Sequence, residues 1–326
     1  MENISIKIDG CGSYLPPKVL TNFDLEKIVE TSDEWITQRT GIKERHIAEN
    51  QTTSDMATNS ILDAVKNSKS DVKLEDLDAI ICATTTPDLV FPSTACIIQQ
   101  KLGLQKNIVA FDIQAVCSGF VYAISVARDM MMAGKIKTCA VVGADKMSSI
   151  VDWKDRATCV LFGDGAGAVI LKAENCESGK KDGIIDYELS ANGNFADILN
   201  TNGGVSSNQK VGTVYMEGRA VFKHAVEKMT TSIKEIVSKN GFSLDDVALI
   251  VPHQANSRIL TLVAEKLGIE PEKFMITIDK HANTSSASIP LALDVAIKQK
   301  MVKTGDLVIL EALGGGLTWG AVLIRL

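Results

Sequence analysis

Short aliphatic runs alternate with longer amphipathic or apolar segments along the whole of this 326-residue chain. This alternation is typical of a layered α/β architecture, in which helices pack on sheets. The aliphatic runs that we predict to be strands are residues 78–84, 109–112, 139–144, 166–172, 247–252, 306–311 and 320–325. We therefore expect an α/β protein in which longer helical segments cover sheets of short strands.

Two features occur twice in the chain, and in the same order. A strand candidate that begins with aspartate at residues 76–81 has an echo at residues 246–251. A glycine-rich turn that leads into a strand at residues 163–170 has an echo at residues 314–323. The two pairs are separated by similar offsets, which indicates an internal duplication.

A charged, glycine-containing stretch at residues 173–183 lies between the two copies. It divides the chain into an N-terminal half, residues 1–173, and a C-terminal half, residues 174–326. With 45% hydrophobic residues, the chain can bury one large core or two ordinary ones. We expect each half to be a globular α/β unit.

Charge, termini and cysteine content exclude several classes of function. A net charge of −6 disfavours non-specific binding to nucleic acid. Glu2 stands where a signal peptide carries bases, and no run of about 18 apolar residues is present to span a membrane. The seven cysteines form no CxxC pair for zinc or redox chemistry. We expect a cytoplasmic protein with no nucleic-acid partner, no membrane partner and no metal.

Cys117 is the first candidate for a reactive group. No residue from Cys117 to Ala127 is charged, so the helix that follows Gln114 must be buried on most faces, and Gly134 is placed to end it. Cys117 then lies near the first turn of this helix, where the macrodipole favours a thiolate by at most about 2 kcal/mol. Burial acts in the opposite direction, and a packed structural cysteine is the alternative interpretation.

Two further polar side chains stand out. His253 follows the apolar strand candidate at residues 247–252, at the end of a strand where α/β sites are built. Asn283 lies in a small polar turn, where a structural cap is equally typical. The order Cys, His, Asn also fits a papain-like hydrolase, but the papain signature around the cysteine is missing and the α/β alternation argues against that fold. The loop at residues 314–316, which has no side chains, can bring a backbone N–H close to an oxyanion.

Five stretches together resemble one family: residues 32–42 (SDEWITQRTGI), 115–120 (AVCSGF), 253–256 (HQAN), 283–285 (NTS) and 314–320 (GGGLTWG). The combination is similar to β-ketoacyl-acyl-carrier-protein synthase III, the initiating condensing enzyme of bacterial type II fatty acid synthesis. The resemblance runs from about residue 5 to the C-terminus. It implies the thiolase fold, with two duplicated α/β halves in a layered α-β-α-β-α core, and a homodimer.

The resemblance also implies a mechanism. Cys117 would attack acetyl-CoA or another short acyl-CoA, and the N–H groups of Cys117 and Gly316 would hold the oxyanion while CoA leaves. A malonyl group on acyl carrier protein would then enter, and His253 and Asn283 would donate hydrogen bonds to its thioester oxygen as carbon dioxide is lost. The carbanion would attack the acyl-cysteine to give a 3-oxoacyl carrier protein. No cofactor is expected, because acyl-CoA is a substrate.

The family resemblance assigns a site for CoA. Trp35 and Arg156 would surround the adenine, since both side chains are suited to stack on a base. Thr31 and Arg39 would lie nearby for polar and phosphate contacts.

The same resemblance assigns the acyl pocket and the carrier-protein surface. Phe91 would limit the length of the acyl chain, and Phe162 would form a second wall of the pocket. Lys223 and Arg258 would belong to a basic face that receives the acidic carrier protein.

Two residues depart from the family pattern without removing a catalytic group. Ala282 stands where a glycine precedes the asparagine, and Arg219 stands where some members have an asparagine near the tunnel mouth. A relative on the same fold that condenses or loads a different starter, as in polyketide, quinolone or biotin-precursor pathways, remains an alternative. A degradative thiolase is disfavoured because no second cysteine lies near the C-terminal glycine loop, and a non-catalytic acyl-binding or scaffold subunit would be expected to have lost a polar group.

Overall fold

A computed structural model of the protein describes residues 4–177, 179 and 181–326. The strands are β1 (Ile4–Tyr14), β2 (Lys18–Thr21), β3 (Glu44–Ile47), β4 (Ala79–Ala83), β5 (Val109–Ile113), β6 (Thr138–Lys146), β7 (Asp164–Asn175), β8 (Gly183–Ala191), β9 (Leu199–Thr201), β10 (Val214–Met216), β11 (Val247–Pro252), β12 (Leu307–Gly314) and β13 (Thr318–Arg325). The α-helices are α1 (Asn22–Leu25), α2 (Asp33–Thr40), α3 (Thr53–Lys66), α4 (Thr94–Lys101), α5 (Gly119–Met132), α6 (Arg156–Cys159), α7 (Gly218–Lys239), α8 (Ser257–Leu267), α9 (Ile278–His281) and α10 (Ser288–Lys298). Short 3-10 turns are formed by Leu74–Asp76, Val116–Ser118, Met147–Ser149, Gly193–Ile198, Leu244–Asp246, Pro271–Lys273 and Ser285–Ala287.

The two main sheets repeat one topology. The five-stranded sheet has the order β1-β7-β6-β4-β5, and the four-stranded sheet, read from its other end, has the order β8-β13-β12-β11. In each sheet the first two pairings are antiparallel and the third is parallel. Every strand candidate identified in the sequence lies on one of these strands. The predicted duplication of an α/β unit is thereby confirmed.

The aspartates that begin the repeated strand candidates have the same structural role in both halves. Each is the last residue of a 3-10 turn that leads into a parallel strand. Asp76 accepts a hydrogen bond from the backbone N–H of Lys73 at 2.8 Å, and Asp246 accepts one from the N–H of Ser243 at 2.7 Å. The repeat in the sequence therefore reflects a repeated cap at the entrance to β4 and β11.

The helices and sheets form five layers. The central layer contains α5 and α10, whose apolar side chains pack between the two sheets in one core cluster. Helices α3 and α4 cover the outer face of the five-stranded sheet, and α7 and α8 cover the outer face of the four-stranded sheet. Phe120 of α5 and Leu293 of α10 are fully buried in the centre, where each such side chain stabilises the fold by about 2 kcal/mol. The predicted α-β-α-β-α core is confirmed.

The chain passes from the first sheet to the second in the stretch that the sequence singled out. β7 ends at Asn175 and β8 begins at Gly183, so the expected boundary between residues 173 and 174 lies two residues before the end of β7. The division into residues 1–173 and 174–326 stays a prediction at that resolution. Among the described residues, no helix is both long enough and apolar enough to cross a membrane.

Candidate active site

Cys117 lies in the 3-10 turn Val116–Ser118, directly before α5 begins at Gly119. It therefore precedes the first turn of the helix, in which the sequence placed it. Its side chain is only 6% exposed. Burial raises the pKa of the Cys117 thiol from 9.0 to about 12. Such a rise corresponds to about 4 kcal/mol, which exceeds the contribution of about 2 kcal/mol expected from a helix N-terminus. The resting side chain is therefore a neutral thiol, and the expected preference for a thiolate is outweighed by desolvation.

The glycine-rich loop between β12 and β13 approaches the nucleophile closely. A Cβ atom added to Gly314 would lie 2.8 Å from the backbone nitrogen of Cys117, so a side chain there would displace one of the two segments. Gly316 has a φ of +132°, a backbone conformation that other residues rarely adopt. Within the described part of the chain, the N–H groups of Cys117 and Gly316 donate no hydrogen bond to another residue. Both are free to bind an oxyanion.

His253 follows the last residue of β11, and its backbone N–H donates to the carbonyl of Glu311 on β12 at 2.7 Å. The imidazole is 3% exposed, and its Nδ1 has no partner among the residues that the structure describes. Burial lowers the pKa of His253 to about 3. The ring is therefore neutral near physiological pH and can donate one N–H without carrying a charge.

Asn283 is held by its own turn. Its side-chain oxygen accepts a hydrogen bond from the N–H of Ser285 at 2.9 Å, which leaves the amide nitrogen free to donate. The Asn283 backbone is fixed on both sides by Leu161 and Gly163. Ala282, just before it, has φ +55° and ψ −158°, a region occupied almost only by glycine. The glycine that the family resemblance leads us to expect at position 282 would fit this backbone conformation better than the alanine that is present.

These groups line one cavity of about 950 Å³. Cys117, His253, Asn283 and Gly316 all contribute to its walls, and their catalytic roles stay predictions. The cavity is otherwise largely apolar. Groups of three or more His, Cys, Asp or Glu side chains suited to a metal are absent from the described residues.

The contacts of the histidine argue against the papain-like alternative. In that arrangement the asparagine orients the histidine by a hydrogen bond. Here the side-chain oxygen of Asn283 accepts from Ser285, and Nδ1 of His253 has no partner in the described chain. His253 and Asn283 therefore do not form the relay of a papain-like site.

The mouth of the cavity carries the side chains expected to bind CoA. The guanidinium groups of Arg39 and Arg156 lie 4.8 Å and 5.0 Å from the ring centroid of Trp35, and all three residues line the cavity. Arg156 also donates to the carbonyl of Glu30 at 3.1 Å. Thr31 does not line the cavity, and its hydroxyl is buried without a partner in the described chain.

The two residues expected in the acyl pocket are placed differently. Phe162 is buried and lines the cavity. Phe91 is 82% exposed, on the loop between β4 and α4, and it does not line the cavity of its own chain. Leu89 and Val90 beside it are also exposed. Phe91 therefore makes no wall of the cavity within its own chain, and its role in limiting the acyl pocket stays a prediction.

The basic residues at the rim differ in their positions. Arg258 lines the cavity mouth with its guanidinium 5.9 Å from the ring of Phe222, whereas Lys223 is exposed on α7 outside the cavity lining. Arg219, noted in the sequence only as a departure, also lines the mouth. The sequence analysis missed Asn256 as a site residue, although its motif was recognised. Asn256 lines the cavity and donates to the carbonyl of Arg39 at 2.9 Å.

One cavity lies between the two duplicated α/β halves, and its walls carry a buried cysteine, a neutral histidine and an asparagine. This combination is typical of a condensing enzyme of the thiolase type. Two family models match the chain, 3-oxoacyl-[acyl-carrier-protein] synthase III at residues 111–193 and the C-terminal part of the same family at residues 237–326. The chain belongs to the 3-oxoacyl-[acyl-carrier-protein] synthase III family.

Individual relatives match over almost the whole chain. The β-ketoacyl-[acyl-carrier-protein] synthase III of Ehrlichia canis is 53% identical over 97% of this chain and 98% of its own. The crystal structure of 3-oxoacyl-[acyl-carrier-protein] synthase III from Aquifex aeolicus has a TM-score of 0.92 and 49% identity, with 99% and 100% of the two chains covered. A priming β-ketosynthase from the R1128 polyketide biosynthetic pathway has the same TM-score of 0.92 at 29% identity, with coverage of 100% and 97%.

Proposed function

We propose that this chain catalyses the decarboxylating condensation of a short acyl-CoA, acetyl-CoA first among them, with malonyl-acyl carrier protein. The products are a 3-oxoacyl carrier protein, CoA and carbon dioxide, and the reaction initiates fatty acid biosynthesis. The observation that carries this proposal is the convergence of Cys117, neutral His253 and the free amide of Asn283 on one cavity.

In the first half-reaction, the sulfur of Cys117 adds to the thioester carbon of the acyl-CoA. The negative charge that develops on the carbonyl oxygen is accepted by the N–H groups of Cys117 and Gly316. The C–S bond to CoA then breaks, and the proton from the cysteine thiol leaves with CoA as its thiol. Because the resting thiol has a high pKa, proton loss must accompany acyl-CoA binding and attack.

In the second half-reaction, His253 and Asn283 donate hydrogen bonds to the thioester oxygen of the malonyl group. The carboxylate leaves as carbon dioxide, and its bonding electrons form an enolate that these two donors stabilise. The enolate carbon attacks the acyl-cysteine, and the sulfur of Cys117 departs and is reprotonated. Neutral donors suffice because loss of carbon dioxide supplies the carbanion without a strong base.

The cavity mouth supports binding of both carriers of the acyl groups. We propose that the adenine of CoA stacks with Trp35 and Arg156, with Arg39 supplying polar contacts. Stacking of this kind contributes about 1–3 kcal/mol per base. Lys223 and Arg258, joined by Arg219 at the rim, form the basic face that we assign to the acidic acyl carrier protein. We also propose that the enzyme is cytoplasmic, because its proposed substrates are acyl-CoA and malonyl-acyl carrier protein.

Exposed apolar residues support a homodimer. β5 is an edge strand of the five-stranded sheet, and its Val109 is 37% exposed. Leu89, Val90 and Phe91 form an exposed apolar tip on a neighbouring loop. Pairing two copies through this edge would bury both features and would bring the exposed Phe91 of each copy against its partner. We therefore propose that the active form is a homodimer in which Phe91 acts across the interface.

An alternative function is that of an enzyme that primes another pathway with a different starter acyl group. The similarity to the R1128 priming β-ketosynthase favours this alternative. Product analysis with purified carrier protein separates the two possibilities. The fatty-acid function predicts that acetyl-CoA and malonyl carrier protein give 3-oxobutanoyl carrier protein. A starter-unit enzyme of a polyketide, quinolone or biotin-precursor pathway would use acetyl-CoA poorly and another acyl group well, or would load it without condensation.

The division of labour is tested by measuring the two half-reactions separately. We expect His253→Ala and Asn283→Ala to slow decarboxylation of malonyl carrier protein by about 100-fold or more, with a much smaller effect on acylation of Cys117. His224→Ala is the matched control, because this imidazole lies outside the cavity lining. Equal losses in both half-reactions would contradict the donor roles.

A further inference from the structure

Asp145 is a buried acid next to the active site for which the reaction has no assigned use. It lies near the end of β6, and its side chain is 0% exposed. Among the residues that the structure describes, no Lys, Arg or His forms an ion pair with it. An ionised carboxylate buried without a cation is costly, so the state of this group requires an explanation.

Both oxygens of Asp145 join segments that build the site. Oδ1 accepts from the N–H groups of Thr85 at 2.7 Å and Thr86 at 3.2 Å, in the loop after β4, and from the hydroxyls of Thr84 at 3.2 Å and Thr86 at 3.1 Å. Oδ2 accepts from the N–H of Ser286 at 3.0 Å, in the turn that follows Asn283. The acid thus ties the loop after β4 to the turn that presents the Asn283 amide.

The contacts of the Ser286 hydroxyl bear on the protonation state of Asp145. Its Oγ lies 2.6 Å from Oδ2 of Asp145 and 2.9 Å from the carbonyl oxygen of Ala83. The carbonyl is only an acceptor, and the hydroxyl has one hydrogen. If Asp145 were a carboxylate, one of these two short contacts would join two acceptors with no hydrogen between them. If Oδ2 carries a proton, it donates to Ser286, and Ser286 donates to Ala83, so that each contact has its hydrogen.

We propose that Asp145 is protonated in the resting enzyme and acts as a positioning residue that fixes the turn carrying Asn283 through Ser286. The chain of donors runs from Asp145 through Ser286 to the end of β4. The protonation stands on the contacts of Asp145 alone, whereas the positioning role also rests on the function proposed for Asn283.

The electrostatics of the neighbouring thiols agree with a neutral acid. Burial raises the pKa of Asp145 above its ordinary value, although hydrogen bonds from Ser286 and Thr85 oppose the rise. The titratable groups that feel its charge are Cys117 and, on β4, Cys82. A negative Asp145 would raise the pKa of Cys117 and oppose every anionic species formed there. A protonated acid holds the turn without that penalty.

The hydroxyl of Ser285 lies between the acid and the nucleophile. It is close enough to lower the pKa of both Cys117 and Asp145, yet it makes no hydrogen bond of normal geometry to a described residue. Ser285 thus lies beside both groups, whereas the hydroxyl of Ser286 contacts Asp145 directly.

Neutron diffraction from deuterated crystals of the wild-type protein tests the protonation directly. We expect a deuterium on Oδ2 of Asp145 and a second on Oγ of Ser286 directed at the carbonyl of Ala83. A carboxylate without deuterium, with the Ser286 deuterium directed at Oδ2, would overturn the proposal. This result does not depend on the catalytic roles or on the folding of any variant.

A second measurement uses the reactivity of the nucleophile. The rate of Cys117 alkylation, followed by peptide mass spectrometry as a function of pH, reports the pKa of its thiol. For a protonated acid, Asp145→Asn leaves this pKa unchanged, because no charge is removed. A lower pKa in the variant would show that Asp145 is ionised.

The positioning role is tested by separating the two half-reactions in Ser286→Ala. We expect decarboxylation of malonyl carrier protein to fall about tenfold more than acylation of Cys117, because the turn that carries Asn283 is released. Ser125→Ala is the matched control, since this buried hydroxyl donates within α5 to Val121 and touches neither turn. A uniform loss in both half-reactions, or no loss, would contradict the positioning role.

Discussion

The neutral state of His253 leads to a specific dependence of the reaction on pH. The imidazole has a pKa of about 3 because it is buried, so about 0.1% of it is charged at about pH 6. An ordinary histidine with a pKa of about 6.5 would be about three-quarters charged under the same conditions. If His253 acts as a neutral donor, the rate of malonyl decarboxylation stays level as the pH falls from about 8 to about 5.5. Release of carbon dioxide from labelled malonyl carrier protein, without acyl-CoA, measures this rate.

The same shift predicts a change in stability whose sign follows from proton binding. The folded pKa of His253 lies below the unfolded value, so the unfolded chain takes up the proton first as the pH falls. Stability is therefore fully present above about pH 6.5 and is lost progressively towards about pH 3. At about pH 5 the protonation of His253 in the unfolded chain lowers the free energy of unfolding by about 2 kcal/mol. This pH lies about 1.5 units below the unfolded pKa, and each unit corresponds to about 1.4 kcal/mol.

Urea unfolding of the wild type and of His253→Gln isolates this contribution. The glutamine variant lacks the titrating group but keeps His281, whose pKa burial lowers to about 4. We expect the free energy of unfolding of the wild type to fall by about 2 kcal/mol relative to the variant between about pH 7 and about pH 5. A pH-independent difference, together with a decarboxylation rate that changes with a midpoint near 6.5, would refute the neutral-donor account.

Three further predictions concern the backbone and the CoA site. Gly314→Ala should slow acylation about 10- to 100-fold, because its Cβ would lie 2.8 Å from the backbone nitrogen of the nucleophile, whereas Gly193→Ala, with nothing within 4 Å, should leave the rate unchanged. Ala282→Gly should change the free energy of unfolding by less than about 1 kcal/mol, because relief of the strained backbone offsets the lost methyl group and the greater chain entropy. The buried helical Ala292→Gly should instead destabilise by about 1–2 kcal/mol, and equal losses in urea unfolding would contradict the strain. Trp35→Ala should raise KM for acetyl-CoA about 5-fold or more with kcat unchanged, and a fall in kcat alone would count against adenine stacking.

The sequence predicted the fold well because its strands are short aliphatic runs and its duplication repeats local caps. Asp76 and Asp246 are visible in the sequence and perform the same local task in the structure. The alternation of strands and helices also determines which polar residues follow strand ends, which is why His253 could be singled out. Local signals of this kind do not depend on long-range packing.

The parts of the site that the sequence did not predict depend on contacts between distant segments. The high pKa of Cys117 follows from burial, which the macrodipole argument underestimated. The exposure of Phe91 reflects the direction of a loop. In the sequence, Asp145 directly follows the strand candidate at residues 139–144 and gives a weak signal, since a polar residue at a strand end is common. Its role is visible only where Ser286, far away in the chain, approaches it.

Intact-protein mass spectrometry provides the most direct test of the central claim. The protein is mixed with acetyl-CoA, the adduct is mapped, and malonyl carrier protein is then added. We predict one acetyl group on Cys117, none on the exposed Cys96, and loss of the adduct as 3-oxobutanoyl carrier protein forms. An adduct that persists or is released as free acetate, or an acetyl group on another residue, would contradict the proposed condensation through Cys117.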